Sequence, residues 1–134
     1  MDQRCAPCGC TGHSVTSAHA DIAIDNNGTW QDAFQFGTPG DFTWQLTFNW
    51  EAEIKRNRYE SMFLLNPTTA NGQIIVDDIN QRVIHFNVAP AIIQAALQPG
   101  IYVYDLVMFD DSTPPIRTVL MHGSLEVTQG VSQP

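Results

Sequence analysis

The stretch Leu97-Gln98-Pro99-Gly100-Ile101-Tyr102-Val103-Tyr104-Asp105-Leu106 decides how the rest of the chain is read. Pro99-Gly100 is a turn signal, because proline fixes φ and glycine tolerates φ > 0, and the residues after it have strong β-propensity. Ahead of it, Pro90 stands at a first helical position, and Ile93 and Leu97 are spaced four apart on one face. The pattern predicts a short helical turn over 90–97 that hands over to a central strand over 101–109. That strand is apolar on both faces except at Asp105, as expected of a strand covered from both sides.

Beyond it, Asp110-Asp111 and Pro114-Pro115 read as a turn, and residues 117–127 as a closing strand. Val119, Met121, Leu125 and Val127 are expected to face inward, with Gly123 marking a bulge. Residues 129–134 form a polar tail. Upstream, 73–76 and 82–88 make a hairpin through Asp77-Asp78-Ile79-Asn80, with Ile84, Phe86 and Val88 on one face and His85 on the other. Residues 62–65 read as a short apolar strand, and Asn66-Pro67 and Asn71-Gly72 as turns.

The strictest pattern is the alternation from Phe42 through Trp44, Leu46, Phe48, Trp50 and Ala52 to Ile54, with a polar residue between each pair. A run this long calls for a bend near residues 47–49 that divides it between two sheets. The three tryptophans are expected to be core, because burying such rings is strongly favourable. Residues 20–24 and 29–36 read as a hairpin about the turn Asp25-Asn26-Asn27-Gly28, with Trp30, Phe34 and Phe36 on one face. Gly37-Thr38-Pro39-Gly40 then breaks the chain.

Residues 1–19 stand apart as a Cys-rich extended arm that holds all three cysteines. Cys5, Cys8 and Cys10 place three thiolates on a tight Pro/Gly-shaped loop, and His13 is close enough in sequence to complete a tetrahedral zinc site or a cysteine-ligated iron site. A loose arm with idle thiols, and an arm ordered only against a neighbouring subunit, are the other readings of the same residues.

With 134 residues, 43 % hydrophobic and 15 % charged, the chain fits one core domain over 20–128 and is too apolar for disorder. No apolar run approaches the roughly 20 residues of a membrane span, and the first residues lack the apolar core of a signal peptide, so folding in cytoplasm is expected. A net charge of −8 repels phosphate backbones and anionic lipid, which argues against nucleic-acid and membrane partners. The one basic cluster, Lys55-Arg56-Asn57-Arg58, reads as a solvated strand end. His85 and His122 lack an orienting partner in sequence, Asp77-Asp78 and Asp110-Asp111 sit in turns, and no nucleophile–base pair or paired-carboxylate spacing points to a hydrolase, so no enzyme is expected.

About eight strands with frequent turns and one short helical turn predict an all-β, mainly antiparallel, immunoglobulin-like β-sandwich. Tyr102, at the start of the strand after Leu97-x-Pro-Gly, is placed to bond back to the backbone as a tyrosine corner.

One resemblance goes further than these patterns. Its pieces are Asp21-Ile22-Ala23-Ile24 with Gly28-Thr29-Trp30, Ala52-Glu53-Ile54-Lys55-Arg56, and Asn71-Gly72-Gln73-Ile74. They continue with the helical turn before Tyr102-Val103-Tyr104-Asp105-Leu106, and with Leu120, Gly123, Leu125, Val127 and Thr128. In this order they resemble a family of small structural proteins of tailed bacteriophages and prophages, encoded among tail, baseplate and fibre components. The resemblance covers roughly residues 20–128 and implies a non-enzymatic virion protein, assembled in the host cytoplasm, that contacts copies of itself and other virion proteins in the baseplate or tail-fibre attachment region. A capsid decoration or neck protein, and a receptor- or carbohydrate-binding module with exposed aromatic residues, are the alternatives.

Overall fold

The computed structural model describes residues 17–36, 47–78 and 82–130. These form an all-β structure with one short helix. The strands are β1 (Ala18–His19), β2 (Ile22–Asp25), β3 (Ala33–Gln35), β4 (Asn49–Lys55), β5 (Ile74–Val76), β6 (Val83–Phe86), β7 (Gly100–Phe109) and β8 (Arg117–Thr128), with the helix α1 (Pro90–Ala96) between β6 and β7. In one sheet β1 and β2 lie along the same edge of β8, followed by β7 and β4; the other has the order β3-β6-β5. Pairing is antiparallel except that β1 and β2 run parallel to β8.

Both sheets feed one core. Ile22 and Ile24 from β2, Trp50, Ala52 and Ile54 from β4, Tyr102, Tyr104, Leu106 and Met108 from β7, and Leu125 and Val127 from β8 meet Ile74, Ile84 and Phe86 of the other sheet. The period-two sequence of each strand supplies this inward row. On the inner face of the β3-β6-β5 sheet the Phe86 ring stacks on Trp30 at 4.1 Å and 8° and Phe34 meets Phe86 edge-on, while Phe36 tilts against Trp50 of the other sheet at 5.5 Å.

Residues 20–36 do not form the expected hairpin. The Asp25 side chain caps the amide of Asn27 at 2.8 Å, and the Gly28 amide donates to the Asp25 carbonyl at 3.1 Å, so the turn forms where the Asp-Asn-Asn-Gly chemistry places it. The turn carries the chain from one sheet to the other: β2 pairs with β8, and β3 pairs with β6. Alternation identifies two strands with an inward face, but it carries no information about which edge each will join. The sheet also begins earlier than residue 20, since Ala18 and His19 pair with Met121 and His122.

Two further expectations are corrected. Residues 62–65 form no strand; they touch β4 through one isolated bridge, Leu65 to Ile54, and beyond Pro67, which cannot donate to a ladder, the chain makes a second, Thr68 to Glu51. Gly123 is not a bulge. The register passes from Leu106 opposite Met121 to Val107 opposite Val119, which leaves Leu120 as the extra residue on β8. Leu120 and Met121 are consequently both buried, and Val119, expected inside, is half-buried on the outer face opposite Val107. Gly123 instead lies under the crossing between β1 and β2, where a Cβ would stand 2.1 Å from the Ala20 carbonyl oxygen.

The turn from α1 into β7 forms as expected. Pro90 starts α1, Ile93 is its buried residue, and the Leu97 amide donates to the Ile93 carbonyl before the backbone turns extended. Tyr102 Oη donates to the Gln98 carbonyl at 2.6 Å, closing the corner from inside. The following strand is covered on both sides only in part: Ile101 is 69 % exposed, Val103 and Asp105 are half-buried, and Val107 is buried on the outer face. Tyr102→Phe is expected to lower stability by about 1–3 kcal/mol, because the Gln98 carbonyl loses its donor. A urea midpoint equal to that of the parent protein would contradict this role.

Candidate interaction surface

β4 determines what the outer face presents. Its inward residues Trp50, Ala52 and Ile54 leave Asn49, Glu51, Glu53 and Lys55 on the opposite face. The chain then loops away and returns along the same edge: the Leu64 amide donates to the Ile54 carbonyl at 2.7 Å, the Ile54 amide to the Leu65 carbonyl at 3.1 Å, and the Ala52 amide to the Pro67 carbonyl at 2.8 Å. These bonds fix both ends of the loop.

Within the loop Asn57 makes the turn. Its side-chain oxygen accepts the Tyr59 amide at 2.9 Å, and its carbonyl accepts the Glu60 amide at 3.3 Å. The turn holds Tyr59 outward, 95 % exposed, and Met62 follows at 77 % and Phe63 at 40 %. The Lys55 ammonium stands 5.5 Å over the Phe63 ring. Lys55, Arg56 and Arg58 make no ion pair among the described residues. A backbone-anchored loop thus presents Tyr59, Met62 and the arginines Arg56 and Arg58 to solvent, residue types enriched at the centres of protein interfaces, with Lys55 half-buried at its base.

Behind the loop lies a cleft of about 100 Å³ lined by Glu53, Lys55, Arg58, Val103, Tyr104 and Asp105. The Glu53 carboxylate accepts from the Arg117 guanidinium at 2.7 Å and is nearly buried. Register places Glu53, Asp105, His122 and His19 in one row across four strands of the outer face. The row supports local order at the β1 edge: Ser17 Oγ and His122 Nδ1 are 2.6 Å apart, the His19 and His122 rings stand 5.3 Å apart, and Asp21 accepts the Ser124 amide at 3.0 Å. That amide holds the Asp21 carboxyl below its ordinary range. The Tyr104 phenol is pushed up by burial and by the Asp21 and Asp105 carboxylates, so it stays protonated and donates to the Ala20 carbonyl.

Glu51 is the one carboxyl here raised toward neutrality. Partial loss of water and its neighbour Glu53 push it from 4.5 up to about 7, with Arg117 pulling the other way. The native state therefore holds a proton that the unfolded chain has released between about 4.5 and about 7, and stability falls as pH rises through that window. Glu51→Gln is expected to flatten this slope, measured as melting temperature from about pH 5 to about pH 8. Parallel curves for the two proteins would overturn the assignment.

Cys5, Cys8, Cys10 and His13 lie outside the described residues, as does Trp44. Trp30 and Trp50 are buried, as the alternation required. Among the described residues no group of three or more His, Cys, Asp or Glu side chains is placed to hold a metal ion. His85 is half-buried on the outer face of β6, and Asp110 caps its own loop by accepting the Ser112 and Ile116 amides at 3.0 and 2.9 Å. Those bonds hold its carboxyl below the ordinary range.

No known protein family matches this chain, and no characterised protein is significantly similar to it. The basic cluster was legible in sequence, but the exposure of Tyr59, Met62 and Phe63 was not. In sequence Met62 and Phe63 open an apolar run, 62–65, indistinguishable from a short core strand; only the return of the chain at Leu64 shows that Met62 and Phe63 stay outside the core.

Proposed function

We propose that the protein is a non-enzymatic structural component of a tailed-phage virion, assembled in the baseplate or tail-fibre attachment region through protein–protein contacts. The observation that carries this reading is the anchored loop with Tyr59, Met62 and Phe63 exposed beside Lys55, Arg56 and Arg58. Large apolar side chains held in solvent by a fixed backbone mark an interaction surface, because a chain without a partner would gain by burying them. The motif order quoted above directs the choice of partner toward other virion proteins and further copies of the chain.

The finer reading of the fold belongs to the same proposal. Strands β1 and β2 beside β8, then β7 and β4, facing β3-β6-β5, with the Tyr102 corner opening β7, are the features expected of an immunoglobulin-like sandwich. Such a scaffold keeps its strands fixed and leaves the end loops to vary, which suits a connector of many copies.

The test joins location to surface. Antibody against the chain, visualised by gold labelling, is expected to decorate one position on tailed particles. The triple variant Tyr59→Ser, Met62→Ser, Phe63→Ser should fold with an unchanged melting temperature yet enter particles at least about tenfold less, since removing interface anchors costs about 2 kcal/mol or more each. Unlabelled particles, or incorporation of the variant at the parent level, would overturn the proposal.

A further inference from the structure

The basic loop has a counterpart at the other end of the same sheet. β4 ends at Lys55 opposite Val103, near the start of β7, whereas residues 110–116 connect the far end of β7 to β8, where Phe109 stands opposite Asn49 and Arg117. From Lys55 opposite Val103 to Asn49 opposite Phe109, seven strand residues at ~3.3 Å each separate the two loops by about 20 Å. The far loop has the opposite character: Asp110 and Asp111 make no ion pair among the described residues, and Ile116 is 59 % exposed. Asp110 is fixed by the Ser112 and Ile116 amides, so this loop too is built to hold its shape.

We infer that the loop of residues 56–63 in one copy docks on the loop of residues 110–116 in a second copy, head to tail. Charge complementarity identifies a second copy as the occupant. Half of the chain's six Lys and Arg stand in four residues at one end, in a molecule of net charge −8. Each end also offers apolar surface, Tyr59, Met62 and Phe63 against Ile116, so the contact has a desolvated centre as well as an ionic rim. The two surfaces differ, so the contact is heterologous: it repeats from copy to copy and produces a ring or a filament instead of a closed dimer. This inference deepens the assembly reading by naming the partner of the same loop.

Two variants block one end each with neutral side chains, so that no swapped charge pair can form between them: Arg56→Ser with Arg58→Ser at the basic loop, and Asp111→Ser with Ile116→Ser at the acidic one, sparing Asp110 because it caps its loop. Sedimentation velocity of the full chain at about 0.01 M salt, where charges act over about 30 Å, is expected to show concentration-dependent assemblies larger than dimers. At about 1 M salt, with screening over about 3 Å, they should dissociate. Each variant alone should lose association at least about tenfold, and an equimolar mixture should stop at a one-to-one dimer through the single intact contact. A monomeric parent protein at low salt, or variants that associate as the parent does, would overturn the inference. If the parent is monomeric and the Tyr59, Met62, Phe63 variant still fails to enter particles, only the self-contact is wrong. If the chain self-associates as expected but is absent from particles, the virion reading is wrong and the contact stands.

Discussion

Gly123→Ala should detach the β1–β2 segment from β8. The added methyl would stand 2.1 Å from the Ala20 carbonyl oxygen and 2.8 Å from its carbon, and both belong to backbone held on either side. The Ala20 amide donates to the His122 carbonyl at 2.9 Å, the Ala20 carbonyl accepts Tyr104 Oη, and Ile22 pairs with Leu125. Moving the crossing by the ångström or more that a methyl needs breaks these bonds and lifts Ile22 and Ile24 from the core. Overpacking of this kind costs about 3 kcal/mol or more when the obstacle is backbone. For a domain of this size that lowers the melting temperature by about 10 °C. Gly28→Ala is the control: its nearest neighbour would be the Asp25 oxygen at 3.9 Å, and the change should be close to neutral. Equal melting temperatures for the two variants would refute the close approach at Gly123.

Phe86→Ala is expected to destabilise by about 3–5 kcal/mol, near the upper range for a single core truncation. The ring is fully buried, stacked face to face on Trp30 and met edge-on by Phe34, so no neighbour can collapse into the space without giving up its own packing. Phe86→Leu, which refills most of the volume, should recover part of the loss. Chemical denaturation measures both, and a Phe86→Ala midpoint within experimental error of the parent would mean that the ring is not packed against Trp30 and Phe34.

The two predictions differ in how far the sequence could have anticipated them. Phe86 follows from alternation: Ile84, Phe86 and Val88 fall on one side of a strand whatever it pairs with, and hydrophobic burial is non-directional. Gly123 could be noticed as a glycine in a strand, but a bulge and a close backbone approach have the same one-residue signature. The obstacle comes from Ala20, about a hundred residues away in the chain, and only the parallel pairing of β1 and β2 with β8 places it there.

The same division runs through the candidate surface. Lys55, Arg56 and Arg58 were visible as charge, and the outward row Glu51, Glu53 and Lys55 as the polar half of an alternating strand. The exposure of Tyr59, Met62 and Phe63 was not visible, because composition does not separate an apolar residue on a loop from one in a short strand. Nor was the raised Glu51 carboxyl, which depends on its partial loss of water in the folded sheet and on Glu53 beside it.

By itself the sequence determined an all-β chain, the turn at Asp25, the inward rows of β4 and β6 and that of β8 except at Val119 and Leu120, the helix from Pro90 and the Tyr102 corner. All of these are local: they depend on φ restrictions, period-two alternation and bonds spanning a few residues. The tertiary structure alone decided that the turn at Asp25 joins two sheets instead of making a hairpin, and that Leu120 is the extra residue on β8. It also decided that Gly123 yields to a crossing chain and that the loop after Lys55 projects into solvent. These depend on which edges meet, and that choice is set by the summed packing of residues far apart in the chain, for which no local pattern is a proxy.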